Sequence, residues 1–425
     1  MMTRSTFKNS LLLLLLLLLS VPALRSQVEE GRRITEELCS EKYFGRGYIK
    51  GGDSLAALYL RDEFKKKGLK PLKGSFLQPF QFDVNTFPGA MSIGVNGQEL
   101  RTGIDYIVDE NSGSSDGEWK FQYITGTDLL EVRTAREITS KVKSKEINAV
   151  VIDFDGLKGD SMKAIRKISY SLADICHVMV LTDEKFTFSV GNEPFPFSYV
   201  LVKKAAVGIP VSIRAVIQSE LKKKHEANNV IAYIPGKKKK KYIVFTAHYD
   251  HLGGMGASTY FPGANDNASG TSMLFALADH YQKERPKYSI VFMTFAGEEA
   301  GLLGSHYFVE HPLLPLSKIK FLVNLDIMGS GEEGITVVNA TLFPDQYNAL
   351  SAINDREHYL SAVKKRGPAA NSDHYFFTEA GVPCFFIYTM GPNKNYHDVF
   401  DTYENLSFSV YNQLVQLLVQ FSGTF

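Results

Sequence analysis

Apolar runs alternate with amphipathic segments along the second half of the chain. The apolar runs predict strands at residues 230–234, 242–247, 289–296, 320–326 and 384–388. Apolar positions with helical spacing predict helices at residues 269–284 and 407–421. Because strands that alternate with helices form parallel sheets, the pattern predicts an α/β fold whose sheet is mixed and largely parallel at its centre.

A short helix is predicted near the start of the chain, at residues 54–67. Ser54 has a side chain typical of a helix N-cap, and a glycine follows the last residue as a stop. Leu55, Leu58 and Phe64 fall on one face of this helix. We therefore expect that face to be buried.

The middle of the chain, residues 85–219, has a different pattern. Short alternating segments predict strands at residues 91–95, 119–124 and 149–154, with one helical stretch at residues 161–172. No cluster of His, Asp and Glu occurs within residues 85–219. We interpret the segment as a β-rich insert that separates residues 27–84 from residues 220–425 of a larger α/β domain.

A turn signal and a run of charge separate two of the predicted strands. Pro235 and Gly236 are followed by five lysines at residues 237–241. Such a run is typical of a solvated hairpin tip, and a patch for a membrane or a nucleic acid is the alternative. We interpret it as the tip of a hairpin that joins residues 230–234 to residues 242–247.

The first 26 residues have the pattern of a secretory signal peptide. Arg4 and Lys8 precede nine consecutive leucines at residues 11–19, and small and polar residues follow. Nine leucines are too few to span a bilayer, which needs about 20 apolar residues. We expect a secreted or periplasmic protein without stable membrane association after cleavage; an uncleaved N-terminal anchor is the alternative.

Composition narrows the possible functions. Lys and Arg number 47 and Asp and Glu number 46, so the net charge is +1 and argues against a nucleic-acid-binding protein. Hydrophobic residues make up 44% of the chain, which is enough for a sizeable core. The three cysteines, Cys39, Cys176 and Cys384, permit at most one disulfide and form no C-x-x-C motif.

Residues that can bind metals follow the predicted strands. Five strand ends or strand-following loops offer such residues: His248, Asp250 and His251 in the first, Asp266 in the second, the pair Glu298 and Glu299 in the third, Asp326 in the fourth and His397 in the fifth. Ligands of open α/β sheets bind outside the carboxyl ends of the strands, so these side chains are expected to meet. Imidazole and carboxylate ligands without cysteine suit catalytic zinc. One zinc needs about three protein ligands, so five suit two metals that share a bridging carboxylate.

Several sequence blocks resemble metallopeptidase family twenty-eight. That family contains di-zinc aminopeptidases and glutamate carboxypeptidases and is related to glutaminyl cyclases. The resemblance covers residues 228–425 strongly and residues 36–82 more loosely. The matching blocks are AHYDHLG at 247–253, GANDNASG at 263–270, GEEAGLLGS at 297–305, NLDIMG at 324–329, SDH at 372–374, YH at 396–397 and DTYEN at 401–405. The resemblance implies a three-layer, phosphorylase/hydrolase-like zinc-peptidase sandwich, with residues 85–219 as a protease-associated-like insert.

The resemblance also implies a pair of zinc ions and assigns their ligands. His248 and Asp326 would hold one ion, Glu299 and His397 would hold the other, and Asp266 would bridge the two.

Further roles follow from the same resemblance. Glu298 would be the general base that takes a proton from the activated water, and Tyr396 would donate a hydrogen bond to the oxyanion. Asp250 would orient the imidazole of His248. Asp373 and Asp401 are expected to shape loops rather than to take part in the reaction.

The implied function is that of an exported, zinc-dependent aminopeptidase that acts on peptides. A glutaminyl cyclase is one alternative, but those enzymes usually have Trp before the last histidine ligand, where this chain has Tyr396. A carboxypeptidase or dipeptidase is another, because Lys364, Lys365 and Arg366 could bind a terminal carboxylate. A binding protein on the same fold is disfavoured, since such relatives lose ligands or the base. The sequence leaves the oligomeric state open.

Overall fold

The computed structural model describes residues 27–283 and 285–425. The predicted signal peptide at residues 1–26 lies outside the described residues, and so does the last residue of the helix predicted at 269–284. Strands and helices are numbered separately in chain order. The strands are β1 (Lys70–Pro71), β2 (Leu77–Thr86), β3 (Met91–Val95), β4 (Gln98–Glu99), β5 (Tyr106–Val108), β6 (Ser115–Glu118), β7 (Phe121–Thr125), β8 (Ala149–Asp153), β9 (His177–Thr182), β10 (Tyr199–Lys203), β11 (Ile213–Ile217), β12 (Glu220–Ile234), β13 (Lys238–His248), β14 (Gly254–Met255), β15 (Thr259–Tyr260), β16 (Tyr288–Phe295), β17 (Ile319–Leu325), β18 (Ile335–Val338), β19 (Val363–Lys365) and β20 (Cys384–Thr389).

Helices connect these strands. The helices are α1 (residues 27–39), α2 (Gly52–Lys66), α3 (Val132–Lys143), α4 (Gly159–Leu172), α5 (Lys204–Val207), α6 (Gly270–Lys283), α7 (Leu303–Glu310), α8 (Pro344–Glu357), α9 (His374–Glu379) and α10 (Tyr411–Ser422), with short helical turns at Glu41–Arg46, Asp128–Leu130, Ala264–Ser269, Leu316–Lys318 and Tyr403–Asn405.

The largest sheet is mixed, with a parallel centre. Its strand order is β1-β12-β16-β13-β17-β20-β18-β19, and β2 also pairs with β12. β16, β13, β17 and β20 are mutually parallel neighbours, whereas β12 and β18 pair antiparallel with β16 and β20. The parallel strands are buried on both faces, which explains their nearly continuous apolar sequences. The predicted α/β fold with a centrally parallel sheet is confirmed.

Both faces of this sheet are covered by helices. Ile243 and Phe245 of β13 belong to a core cluster that includes residues of α2, α6, α8 and α10. Val244, between them, points to the other face and packs in a cluster with Phe308 of α7 and Phe377 of α9. Successive side chains of a strand point to opposite faces. The result is the expected three-layer arrangement of helices, sheet and helices.

The hairpin predicted at the lysine run is wrong. β12 and β13 do not pair with each other, because β16 lies between them, antiparallel to β12 and parallel to β13. Residues 238–241 are exposed and form the start of β13 instead of a tip. The turn signal at Pro235 and Gly236 marks a reversal of the chain but carries no information on which strand pairs next.

The buried face predicted for α2 is wrong at two of its three positions. The helix begins two residues earlier, at Gly52, and Ser54 is not its N-cap. Leu55 and Leu58 are 41% and 40% exposed, whereas Phe64 is buried as predicted. Residues 56, 57 and 60 complete the buried face. The alanines at residues 56 and 57 belong to the core between this helix and the sheet, and the two leucines lie at the edge of the buried face.

Residues 91–217 form two further sheets. One has the order β5-β10-β9-β8-β7, with β10, β9, β8 and β7 parallel, and the other has the antiparallel order β4-β3-β11-β6. The single helical stretch predicted there is found as α4, but α3 is an additional helix that the sequence analysis missed. α3 buries only one residue, Ile138. Because so few of its positions are apolar and buried, the sequence shows no extended helical pattern there. The chain enters this unit along β2 and returns along β12, which pair antiparallel from Leu77 and Val230 to Thr86 and Glu220.

Two features of composition have structural counterparts. Cys39, Cys176 and Cys384 are all buried and free, so no disulfide forms among the described residues. No helix in the described ranges is long and apolar enough to cross a membrane.

Candidate active site

Five polar side chains meet at one edge of the large sheet. His248 is the last residue of β13, Glu299 follows β16, and Asp326 follows β17. Asp266 lies in the helical turn before α6, and His397 lies in the loop after β20. Because the carboxyl ends of parallel strands share one edge, residues that are far apart in sequence converge there.

Asp266 lies between the two histidines. One carboxylate oxygen, Oδ1, is 3.2 Å from His248 Nε2, and the other, Oδ2, is 3.1 Å from His397 Nε2. Each histidine also faces a second carboxylate: His248 Nε2 is 3.4 Å from Asp326 Oδ1, and His397 Nε2 is 3.3 Å from Glu299 Oε2. The site is therefore two imidazole–carboxylate pairs joined by one shared carboxylate.

These residues fit a metal centre. Ligand atoms of His248, Asp266 and Glu299 lie within 4.8 Å of one another, and so do those of His248, Glu298 and Asp326. Oδ1 of Asp326 is buried without a hydrogen-bond partner in the described part of the chain, as expected for an atom that coordinates a cation. Imidazole nitrogens and carboxylate oxygens are donors that zinc prefers.

The local charge also favours cations. Burial disfavours the charged form of His397, but the carboxylates of Glu299 and Asp266 outweigh burial and raise its pKa to about 11. Burial likewise opposes the charge on His248, whose pKa is raised well above its ordinary value by Glu298 and Asp326. The same negative charges attract divalent metals, which displace protons from imidazole.

Both histidines are oriented by main-chain carbonyl groups. His248 Nδ1 donates to the carbonyl oxygen of Asp250 at 3.1 Å, and His397 Nδ1 donates to that of Phe188 at 2.9 Å. In each ring this leaves Nε2 free to bind a metal. Phe188 belongs to the unit at residues 91–217, so that unit reaches the site.

Asp250 contacts the imidazole of His248 through its main chain. Its carbonyl oxygen, and not its carboxylate, is closest to the imidazole of His248; the carboxylate is 3.8 Å from Nδ1. The carboxylate instead accepts hydrogen bonds from the main-chain N–H groups of Glu298 and Glu299, at 3.2 and 3.3 Å, and from the hydroxyl of Tyr48 at 2.7 Å. Asp250 thus fixes the backbone of the paired glutamates.

Glu298 is suited to accept a proton. Burial raises the pKa of its carboxyl group, and the negative charges of Glu299 and Asp373 raise it further. Divalent cations nearby would oppose this rise. Asp373 is fully buried, with a pKa that burial raises to about 7, so its main effect on the site is electrostatic.

Asp266 is held by a set of hydrogen bonds to its own loop. The carboxylate of Asp401 accepts from the N–H groups of Asn265 and Asp266, at 2.9 and 3.0 Å. The side chain of Asn267 donates to the carbonyl of Leu325 at 3.0 Å, which ties the loop to the end of β17. Gly263 precedes the loop with φ +58°, and a Cβ there would lie 2.3 Å from the carbonyl oxygen of Asp266.

Tyr396 lies on the open side of the site. Its ring stacks on that of His397 with centroids 3.9 Å apart, and the residue is 44% exposed. Partial burial and the charges of Asp266 and Glu299 raise the pKa of its hydroxyl, which therefore stays protonated and can donate.

Sequence reasoning missed two residues of the site. His251 is buried and its Nδ1 is 2.7 Å from Oε1 of Glu299; its place three residues after His248 was a signal that could have been read. Arg46 is also buried, and it donates to main-chain carbonyls around Asp266. No local pattern distinguishes Arg46 from a surface arginine.

Part of the chain is similar to known peptidases. Residues 229–422 match the model of peptidase family M28. Aminopeptidase YwaD of Bacillus subtilis is 30% identical over 231 residues, which cover 47% of this chain and 48% of that protein. A vacuolar membrane protease of Candida glabrata is 28% identical over 219 residues, which cover 47% and 21%. The chain thus spans half or less of the length of these two relatives.

The fold is also shared with a solved structure. The zinc aminopeptidase BSAP from Bacillus subtilis superposes with a TM-score of 0.64 over 92% of this chain and 94% of that chain, at 18% identity. At that identity the likeness concerns the fold alone. The family match shows that residues 229–422 carry a segment like that of peptidase family M28, and the superposition shows that the chain shares its fold with that aminopeptidase.

Proposed function

We propose that the chain is a zinc-dependent aminopeptidase, which removes N-terminal residues from peptides. The observation that carries the proposal is the position of Asp266, whose two carboxylate oxygens face His248 and His397 at 3.2 and 3.1 Å. Two metals that share a bridging carboxylate are used in peptide hydrolysis. Export through the predicted signal peptide is part of the proposal.

Two zinc ions held by His248, Asp266, Glu299, Asp326 and His397 would activate a water molecule and polarise the scissile carbonyl. Glu298 then acts as general base: its carboxylate accepts a proton from the water and transfers it to the leaving amine. Its raised pKa supports this role, because burial and the neighbouring carboxylates make the carboxylate of Glu298 a stronger acceptor for the proton of the water. Asp250 keeps Glu298 in place through the main-chain N–H.

Tyr396 stabilises the carbonyl oxygen as it gains negative charge. Its hydroxyl is protonated, its ring is fixed on His397, and its partial exposure leaves the hydroxyl accessible to a substrate. A donor aimed at developing charge lowers the barrier more than it tightens substrate binding.

The charge of the site supports action at the amino terminus. Within the described ranges, Asp266, Glu299 and Asp326 form ion pairs with histidines and with no lysine or arginine. Among the residues that the structure describes, the ion pairs of these carboxylates therefore include no lysine or arginine that could bind the terminal carboxylate of a peptide, as a carboxypeptidase requires.

The cationic residues considered for a carboxypeptidase are engaged elsewhere. Lys364 and Lys365 lie on the edge strand β19, and Lys365 lies over the ring of Tyr347. Arg366 donates to the hydroxyl of Tyr388 at 3.2 Å. All three cations are exposed, which favours a structural role on the surface.

A panel of short peptides tests the proposed specificity. Leu-Gly and Leu-Gly amide should be hydrolysed by the zinc-loaded protein, whereas N-acetyl-Leu-Gly should not, and mass spectrometry detects each product. Hydrolysis of the acetylated peptide but not of the amide would establish a carboxypeptidase instead. An N-terminal glutaminyl peptide is included, because loss of ammonia without hydrolysis would identify a cyclase. N-terminal sequencing of protein from the culture medium checks export.

We expect two zinc ions to bind per chain. The reason is the pairing of each histidine with its own carboxylate on either side of Asp266. Titration of zinc into metal-free protein, followed by elemental analysis, should reach saturation at two equivalents, and peptidase activity should rise with the second. Saturation and full activity at one equivalent would exclude a pair of ions. As a matched variant, His397→Ala should retain one equivalent, because His248, Asp266 and Asp326 remain.

Tyr396→Phe should lower kcat while metal content stays at the wild-type value. Losing one oxyanion donor typically costs about 10²–10³-fold, and we expect about 10- to 100-fold here, because a half-exposed hydroxyl already competes with water. The effect should appear equally in kcat and kcat/KM, since the hydrogen bond forms in the transition state. Steady-state kinetics with Leu-Gly amide measures it. A Phe variant within about threefold of wild type would mean that the ring only packs on His397.

A further inference from the structure

We propose that the loop between β9 and β10 acts as a strap that positions the reactive loop carrying Tyr396 and His397, with Lys185 as its positioning residue. The strap is residues 183–198, and the reactive loop is residues 390–402. The proposal rests on the proposed function. It gives the unit at residues 91–217 a part in building the active site. It predicts that a residue outside the M28 domain controls turnover.

The strap holds His397 from two directions. His397 Nδ1 donates to the carbonyl oxygen of Phe188 at 2.9 Å, and the N–H of Phe188 donates back to the carbonyl oxygen of His397 at 2.9 Å. His397 has φ +54°, in the left-handed region that non-glycine residues seldom adopt. A conformation of this kind persists when surrounding contacts determine it. The paired hydrogen bonds to Phe188 are such contacts.

Lys185 closes the reactive loop on itself. Its ammonium donates to the carbonyl oxygens of Lys394 and Tyr396, at 2.6 and 3.2 Å, and pairs with Oδ2 of Asp398 at 2.8 Å. The carboxylate of Asp398 also accepts from the N–H of Phe400 at 2.9 Å. One cation therefore links residues on both sides of His397. Charge-assisted hydrogen bonds are stronger than neutral ones.

The strap is anchored to the other half of the metal site. The ring of Phe188 stacks on that of Phe261, with centroids 4.9 Å apart, and Phe261 lies five residues before Asp266. Phe261 and residues of the β-rich sheets share one core cluster. Movement of the strap would therefore change the position of His397 relative to Asp266.

Lys185 can be changed without disturbing the core. Its side chain is 47% exposed, whereas that of its partner Asp398 is 7% exposed. Its loss should loosen the reactive loop and leave the rest of the fold intact. Displacing a catalytic group by about 1 Å can cost 10²-fold in rate, so the effect should fall on kcat, while KM changes little.

The test compares Lys185→Met with Lys185→Arg and with a control in the same unit. Lys204 is the control, because its ammonium pairs with Asp153 and Asp155, each at 2.9 Å, and has no contact with the reactive loop among the described residues. We expect K185M to lower kcat by about tenfold or more with KM within about twofold. K185R should restore kcat to within about threefold, since it keeps the charge, and K204M should match wild type.

A second measurement does not depend on turnover. Zinc titration of metal-free K185M should show the weaker of the two sites bound at least about threefold less tightly, because groups that orient a ligand typically affect affinity 10- to 100-fold. Unchanged kcat and unchanged zinc affinity in K185M would overturn the proposal, and so would an equal loss in K204M. A wild-type protein that binds zinc but hydrolyses no peptide would contradict the proposed function, and the zinc titration would then decide on the strap.

Discussion

Replacing Glu298 by Gln is expected to lower kcat by about 10²–10⁴-fold, the usual contribution of general acid–base catalysis. The amide has nearly the volume of the carboxyl group, so the fold and the backbone N–H contact to Asp250 should persist. What is lost is a group that can take a proton and return it. Burial and the neighbouring carboxylates raise the pKa of Glu298. The amide of glutamine at this position does not titrate and so cannot accept the proton.

The adjacent residue provides the matched control. Glu299 faces His397 through Oε2 at 3.3 Å, and its Oε1 accepts a hydrogen bond from His251 at 2.7 Å, which holds Oε2 towards the proposed metal site. Glu299→Gln should therefore weaken zinc binding, whereas Glu298→Gln should retain two equivalents. Kinetics at saturating zinc and elemental analysis of the same samples separate the two effects. If Glu298→Gln lost zinc while Glu299→Gln kept full activity, the roles of the two glutamates would be reversed.

The convergence of the proposed ligands could be predicted because it depends on where the apolar runs of the sequence end. β13 from Ile243 onwards, β16 and most of β17 are buried on both faces and form nearly continuous apolar runs, so the ends of these strands can be recognised in the sequence. Polar residues directly after such runs must lie at one edge of a parallel sheet. The pattern of runs thus predicted convergence of His248, Glu299 and Asp326 before any distance was known.

Strand pairing could not be read from the same patterns. The turn at Pro235 and Gly236 suggested a hairpin, yet β16 enters between β12 and β13 from 40 residues further along the chain. A turn fixes the direction of the chain only, and pairing depends on which apolar faces meet. The exposed Leu55 and Leu58 are a similar case. The sequence predicted that these large apolar side chains would be buried, but the small alanines beside them are buried instead.

Contacts made by the main chain were invisible in the sequence. The carbonyl group of Phe188 orients His397 from more than 200 positions away, and any residue type would present the same oxygen. Asp250 likewise contacts His248 through its carbonyl group, so its residue type did not reveal which of its atoms orients the imidazole. Residue identity predicts what a side chain can do, and the backbone that positions it appears only in the fold.

Arg46 is the clearest example of a residue whose importance only the structure reveals. Its side chain is fully buried, and its partners are main-chain carbonyls and not a carboxylate. Nε donates to Tyr249 at 2.7 Å, Nη1 to Leu38 at 3.0 Å and Pro262 at 2.6 Å, and Nη2 to Gly263 at 2.7 Å and Asp266 at 3.4 Å. These carbonyls come from α1, from the residue after His248 and from the loop that leads to Asp266. One guanidinium therefore joins three segments that frame the metal site.

Arg46→Met should lower the free energy of unfolding by about 3 kcal/mol or more, because each buried carbonyl left without a donor costs about 1–3 kcal/mol. Removing a buried cation also recovers its desolvation penalty, which keeps the loss below the sum over the five carbonyls. Arg46→Lys should lower the free energy of unfolding by less, since an ammonium retains the charge and can donate to three acceptors. Urea unfolding in the presence of chelator measures the difference without a contribution from bound zinc.

The control for this prediction is an arginine on the surface. Arg214 is 58% exposed and faces Asp116 and Glu118, so Arg214→Met should change stability by no more than about 0.5 kcal/mol. Arg46→Met should also bind zinc more weakly than wild type at temperatures where both are folded, because the loop from Pro262 to Asp266 loses its donors. A stability within about 1 kcal/mol of wild type would show that water replaces the guanidinium at these carbonyls. Unchanged zinc affinity would show that Asp401, through the N–H of Asp266, suffices to hold the bridging carboxylate.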